Sequence, residues 1–106
     1  MAIQIDEDNA VWMRRIGARD GYGGQSRAAR AAINAWIADP DDQYQRWLAM
    51  VQTPSKQRLR RSFCVDPGVY RALNIEALDR RDTIANIVNA AMSRYRFKTD
   101  DGWETP

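Results

Sequence analysis

The sequence predicts a mostly α-helical fold with one two-stranded antiparallel ribbon, arranged as a tandem pseudo-dimer within a single chain. Three observations predict it. Two short stretches alternate with a period of two, AIQID at 2–6 and SFCVD at 62–66. Each is followed by two stretches with helical spacing, so the order strand, helix, turn, helix occurs twice. An isolated strand leaves its backbone groups without partners, so each strand requires the other. Pairing of 2–6 with 62–66 then gives a ribbon with one face on four amphipathic helices and the other exposed.

In the first unit, residues 2–39, Ile3 and Ile5 point one way while Ala2, Gln4 and Asp6 point the other. Asp8 or Asn9 suits the N-cap of a first helix whose apolar positions are Val11, Trp12, Met13 and Ile16. The turn RDGYGG separates it from a second helix with Ala28, Ala29, Ala32, Ile33 and Trp36 on one face. A connector at 40–58 places Tyr44, Trp47, Leu48 and Val51 at helical spacing, which suggests an extra helix before Pro54. The second unit, residues 59–97, repeats the order. Phe63 and Val65 match Ile3 and Ile5 at an offset of 60, and Asp66 caps a helix with Pro67 at its first position. Val69, Tyr70, Leu73 and Ala77 form that helix's apolar face. After the turn RRD come Ile87, Val88, Ala91, Met92 and Tyr95, which match the second helix at an offset of 59. Residues 98–106 read as a flexible tail.

With 106 residues, 44% apolar and 28% charged, residues 1–106 suit one globular domain. The single Cys64 and the absence of histidine exclude an internal disulfide and Cys/His zinc ligation. No apolar run of about 18 residues is present, and the start, MAIQIDEDN, has no leader character, so a cytoplasmic protein without membrane contact is expected. Cys64 has no histidine to activate it, and GYGGQS lacks the Gly-Lys-Ser/Thr ending of a phosphate loop. Asp39, Asp41 and Asp42 lack the remaining ligands of a calcium loop. No enzyme activity, cofactor or metal is therefore expected. The net charge of +2 conceals a bias: residues 56–98 hold ten Lys/Arg against four Asp/Glu, a net +6. Such a local excess suits a polyanion partner.

The alternating strand, the helix-start pair Asp82-Thr83 and the helix DTIANIVNAAMSRY resemble the ribbon-helix-helix (MetJ/Arc-like) family of DNA-binding proteins. Residues 59–97 carry the resemblance best and 2–39 more loosely. Two units in one chain are similar to the single-chain members associated with conjugative DNA transfer. The resemblance implies binding of double-stranded DNA through a ribbon in the major groove. Base contacts would then come from Ala2, Gln4, Arg60, Ser62 and Cys64. Phosphates would sit at the second-helix N-termini, at Gly24, Gln25 and Ser26 in one unit and at Thr83 and Ile84 in the other. Arg27, Arg30, Arg58, Arg61, Arg80 and Arg81 would add salt-dependent affinity. Asp82 is discordant there, since its carboxylate competes for the same amides.

The implied role is that of a transcriptional regulator, or of an accessory protein in plasmid or conjugative DNA transfer. The expected partner is a non-palindromic duplex, together with other DNA-bound proteins, met by a monomer. The competing reading is a protein-interaction module that kept the fold without base readout. The short outward side chains and Asp6, Glu7 and Asp8 favour it.

Overall fold

The alternating residues Ala2–Asp6 form β1, which runs into α1 (Glu7–Asp20) with no residue between them. The computed structural model describes residues 2–21, 23–40, 42–50 and 58–99. The cap of α1 is Asp6, whose carboxylate accepts from the Asp8 N–H at 3.0 Å, so the helix starts earlier than an Asp8 or Asn9 cap would have it. Asn9 lies inside the helix instead. Its side-chain amide is fully buried and donates to the Asn89 carbonyl and side chain at 3.2 and 3.0 Å. Glu7 and Asp8 occupy the first turn, where the positive end of the helix favours acids.

The RDGYGG turn leads into α2 (Gly24–Ala38). Gly23 adopts the left-handed region at φ 80°, which a side chain disfavours. A Cβ on Gly24 would stand 2.9 Å from the Gly17 Cα, so α1 and α2 cross where neither has a side chain. At the far end of α2, Arg94 donates to the Asp39 and Ala35 carbonyls at 2.6 and 3.0 Å and lies over the Trp36 ring. The helix expected in the connector is α3 (Tyr44–Ala49), a single short segment that buries Tyr44, Trp47 and Leu48. Val51 and Pro54 lie outside the described residues.

The second strand is displaced from its expected place. It is β2, Arg58–Ser62, paired antiparallel with β1 so that Ala2 meets Ser62, Gln4 meets Arg60, Ile5 meets Leu59 and Asp6 meets Arg58. The expected pairing of 2–6 with 62–66 is therefore corrected by four residues. A shift by an even number leaves every side chain on its original face, so alternation alone does not choose between these registers. The observed register sets Leu59 beside Ile5 on the inner face and opposes Asp6 with Arg58. Phe63 and Val65 still turn inward, but from a link that follows the strand, and Phe63 is buried.

That link ends at α4 (Pro67–Arg80), with Pro67 at the helix start as expected and Asp66 at the cap position, although the Asp66 side chain makes no capping bond; α5 (Ile84–Thr99) follows. The starts of α1 and α4, residues 7 and 67, are 60 apart, as are those of α2 and α5, residues 24 and 84. The strand starts, residues 2 and 58, are only 56 apart.

The fold is thus mostly helical, with one two-stranded antiparallel sheet. Its centre is α5, which packs against all four other helices and β1. Ile87, Val88, Ala91 and Met92 join the core with Ala28, Ala29, Ala32, Ile33 and Trp36, as their spacing predicts. Val11 and Tyr70, expected in the core, are exposed: Val11 lies outside the buried arc of α1, while Tyr70, in the first turn of α4, is on the rim beside Ala77. Among the described residues no helix is long and apolar enough to cross a membrane.

Candidate nucleic-acid interface

The outer face of the ribbon presents Ala2, Gln4, Arg60 and Ser62, all exposed. They form two cross-strand pairs, Ala2 with Ser62 and Gln4 with Arg60. Asp6 shares this parity but is only 2% exposed, its carboxylate turned to cap α1. A negative charge that would have faced a polyanion is thereby withdrawn. Cys64 lies beyond β2 in the link to α4, exposed, with its carbonyl accepting from Arg30 Nη1 at 3.5 Å. It is not a ribbon residue, because the strand ends at Ser62.

One end of the ribbon borders an open cleft of about 710 Å³. Gly24, Gln25 and Ser26 of the first turn of α2 line it, together with Arg27, Arg30, Arg61 and Ser62. No side chain caps this helix, whose cap position is Gly23. Arg27 Nη2 donates to the Asp20 carbonyl at 3.3 Å, and Arg61 Nη1 to the Arg60 carbonyl at 3.0 Å. These bonds hold the two guanidinium groups at the cleft. Three cations beside first-turn amides make a place where an anion is favoured twice, by charge and by helix polarity.

The start of α5 is built differently. Thr83 Oγ1 accepts from the Asn86 N–H at 3.1 Å, and Asp82 Oδ1 accepts from the Thr83 N–H at 2.8 Å and from Asn86 Nδ2 at 2.6 Å. The other carboxylate oxygen of Asp82 accepts from the Tyr44 hydroxyl of α3 at 2.6 Å. Burial works against the charge of Asp82. The bonds from Tyr44, Asn86 and Thr83 and the charge of Arg58 outweigh it and hold the carboxyl below its ordinary value. Burial and then the bond to Asp82 push the Tyr44 hydroxyl far above its ordinary value, so it remains a donor.

The other residues expected at phosphates divide. Arg80 is locked inward: its Nε bonds Glu76 at 2.9 Å, while its guanidinium lies over the Trp36 and Tyr44 rings. Glu76 also accepts from Trp36 Nε1 at 2.8 Å. Arg81 is exposed, at the left-handed C-cap of α4. Arg58 is half-buried, opposite Asp6. Ile84 is half-buried and Thr83 exposed, its hydroxyl engaged as the helix cap.

The structure therefore brings Gly24, Gln25, Ser26, Arg27, Arg30, Arg61 and Ser62 to one cleft. It adds a bond that the sequence pattern does not reveal. Tyr44 reads as a core aromatic from its spacing alone, and nothing local announces that its hydroxyl reaches Asp82. Among the described residues no group of three or more acidic, Cys or His side chains stands together as a metal site. Neither a family model, nor a curated protein, nor a solved structure matches this chain.

Proposed function

We propose that this protein binds double-stranded DNA as a single-chain, tandem ribbon-helix-helix protein. The observation that carries the reading is the exposed Gln4–Arg60 pair at the middle of the ribbon, bordered by the arginine-lined cleft at the start of α2. A two-stranded ribbon fits the major groove, where glutamine bonds adenine and arginine bonds guanine in bidentate fashion. Phosphates then meet Arg27, Arg30 and Arg61. The fitting role is transcriptional regulation, or assistance to plasmid or conjugative DNA transfer alongside other DNA-bound proteins.

The test is fluorescence anisotropy with random and selected duplexes at two salt concentrations. The double variant Arg60→Ala, Arg61→Ala is expected to bind more weakly and to flatten the slope of log K against log salt by about 0.9 for each phosphate no longer neutralised. Unchanged affinity and slope would return both arginines to the role of solvated surface charges.

A second reading, a protein-interaction module, has its own support. On α4, Ile75 and Leu78 are 52% and 77% exposed, an apolar outer face away from the buried Leu73 and Ala77, and Tyr70 is 44% exposed beside Ala77. Failure of the wild-type protein to bind any duplex at low salt would favour this reading.

A further inference from the structure

The two helix ends beside the ribbon are unequal in a way that goes beyond DNA binding as such, although the inference rests on that reading. At α2 the first turn carries no side-chain cap and no carboxylate; the Gly24 N–H bonds the Gly21 carbonyl at 3.0 Å, and the turn opens onto Arg27, Arg30 and Arg61. At α5 the same position in the second unit is filled from within. Thr83 occupies the Asn86 N–H and Asp82 the Thr83 N–H, so an arriving phosphate finds two of the donors taken. It also meets a carboxylate that Tyr44 and Asn86 hold in place by bonds of 2.6 Å each. That carboxylate does not swing aside cheaply, because three donors would be left without their acceptor. Of the arginines nearby, Arg80 is bonded to Glu76 and stacked on Trp36 and Tyr44, and Arg58 is half-buried opposite Asp6, which leaves the exposed Arg81 beside the carboxylate of Asp82.

We infer that Asp82 is an orientation-determining residue: it closes the α5 end of the interface to phosphate, so that the protein grips the backbone of a duplex firmly on the α2 side only and lies on its site one way round. The carboxylate acts as a built-in anion, doing for α5 what a bound phosphate would do for α2. Tyr44 of α3 is a positioning residue for it.

Ethylation interference on a selected duplex, read with the full-length wild-type chain, tests this directly. Strong interference is expected at phosphates on one flank of the site and little on the other. Asp82→Asn removes the charge and keeps one acceptor oxygen, for the Thr83 N–H and the Asn86 amide, while its own amide nitrogen faces the Tyr44 hydroxyl. It is expected to add interference on the second flank, to tighten binding to random duplex by about twofold to fivefold, and to steepen the salt slope. Tyr44→Phe leaves the charge in place but releases one of its oxygens, and should weaken the one-sided pattern less than Asp82→Asn does, while a melting curve for each variant shows whether it is folded. Equal interference on both flanks in the wild type would overturn the inference while leaving DNA binding intact, as would an Asp82→Asn protein, folded, with unchanged affinity and pattern. If the wild type retards no duplex at low salt, the DNA reading and this inference fall together.

Discussion

Gln4 stands directly across the ribbon from Arg60, and both are exposed on its outer face. If the glutamine reads a base, Gln4→Ala should relax preference at one base pair, costing about 1–3 kcal/mol against the best site and little against random DNA. Competition titrations with the two duplexes measure this; equal losses on both would mean that Gln4 only supports the ribbon. Its outward direction is legible in the sequence, because alternation fixes it, whereas its neighbour is not. Read with the strand at 62–66, Gln4 faces Cys64; the true register gives it a guanidinium instead. Asn89 is the residue least visible in advance. A polar side chain on a helix reads as solvent-facing, yet this one is fully buried and binds the Asp6 N–H, the Gln4 carbonyl and Asn9 at 2.8, 3.0 and 3.0 Å. Nothing in local spacing predicts it, since apart from the Ala85 carbonyl one turn back its partners lie 80 or more positions away. Asn89→Ala leaves those groups unpaired and should lower stability by about 1–3 kcal/mol. A urea midpoint within error of the wild type would show that water replaces the amide.

At the scale of elements, the helices are the legible part. Trp12, Met13 and Ile16, then Ala28, Ala29, Ala32, Ile33 and Trp36, fall where a period of 3.6 puts them, and all of these positions are buried. The start of α5 is half legible: Asp82 announces a helix start, but its bond to α3 joins two segments 38 positions apart. That bond gives the element a pH dependence. The folded carboxyl titrates below its unfolded value of about 3.9, so its stabilisation is present above that value and is lost as pH falls through the folded one. Asp82→Asn should therefore unfold more easily at neutral pH, by about 1 kcal/mol, and approach the wild type as the pH is lowered through the acid range. Thermal melts across that range decide it, and a constant difference would mean the charge is irrelevant. The α1–α2 crossing supplies another test. Gly24→Ala drives a methyl against the Gly17 Cα at 2.9 Å, where no side chain can yield. A loss of about 1–3 kcal/mol is expected in denaturant unfolding.

For the whole molecule, the ribbon is completed within one chain, since β1 and β2 belong to the same polypeptide. The free protein should accordingly sediment with a mass near 12.2 kDa. A stable dimer would instead point to pairing through a surface such as the apolar outer face of α4. If the ribbon reads DNA as proposed, its two unlike strands, with Ala2 and Gln4 on one and Arg60 and Ser62 on the other, give it no reason to prefer a palindrome. The link of four residues between β2 and α4, set against the direct passage from β1 into α1, carries the difference further. On one side strand and helix share a continuous backbone; on the other the link is pinned by Phe63, buried in the core, with Val65 packed against it. A push on β1 therefore passes straight into α1, whereas one on β2 reaches α4 only through the packing of Phe63.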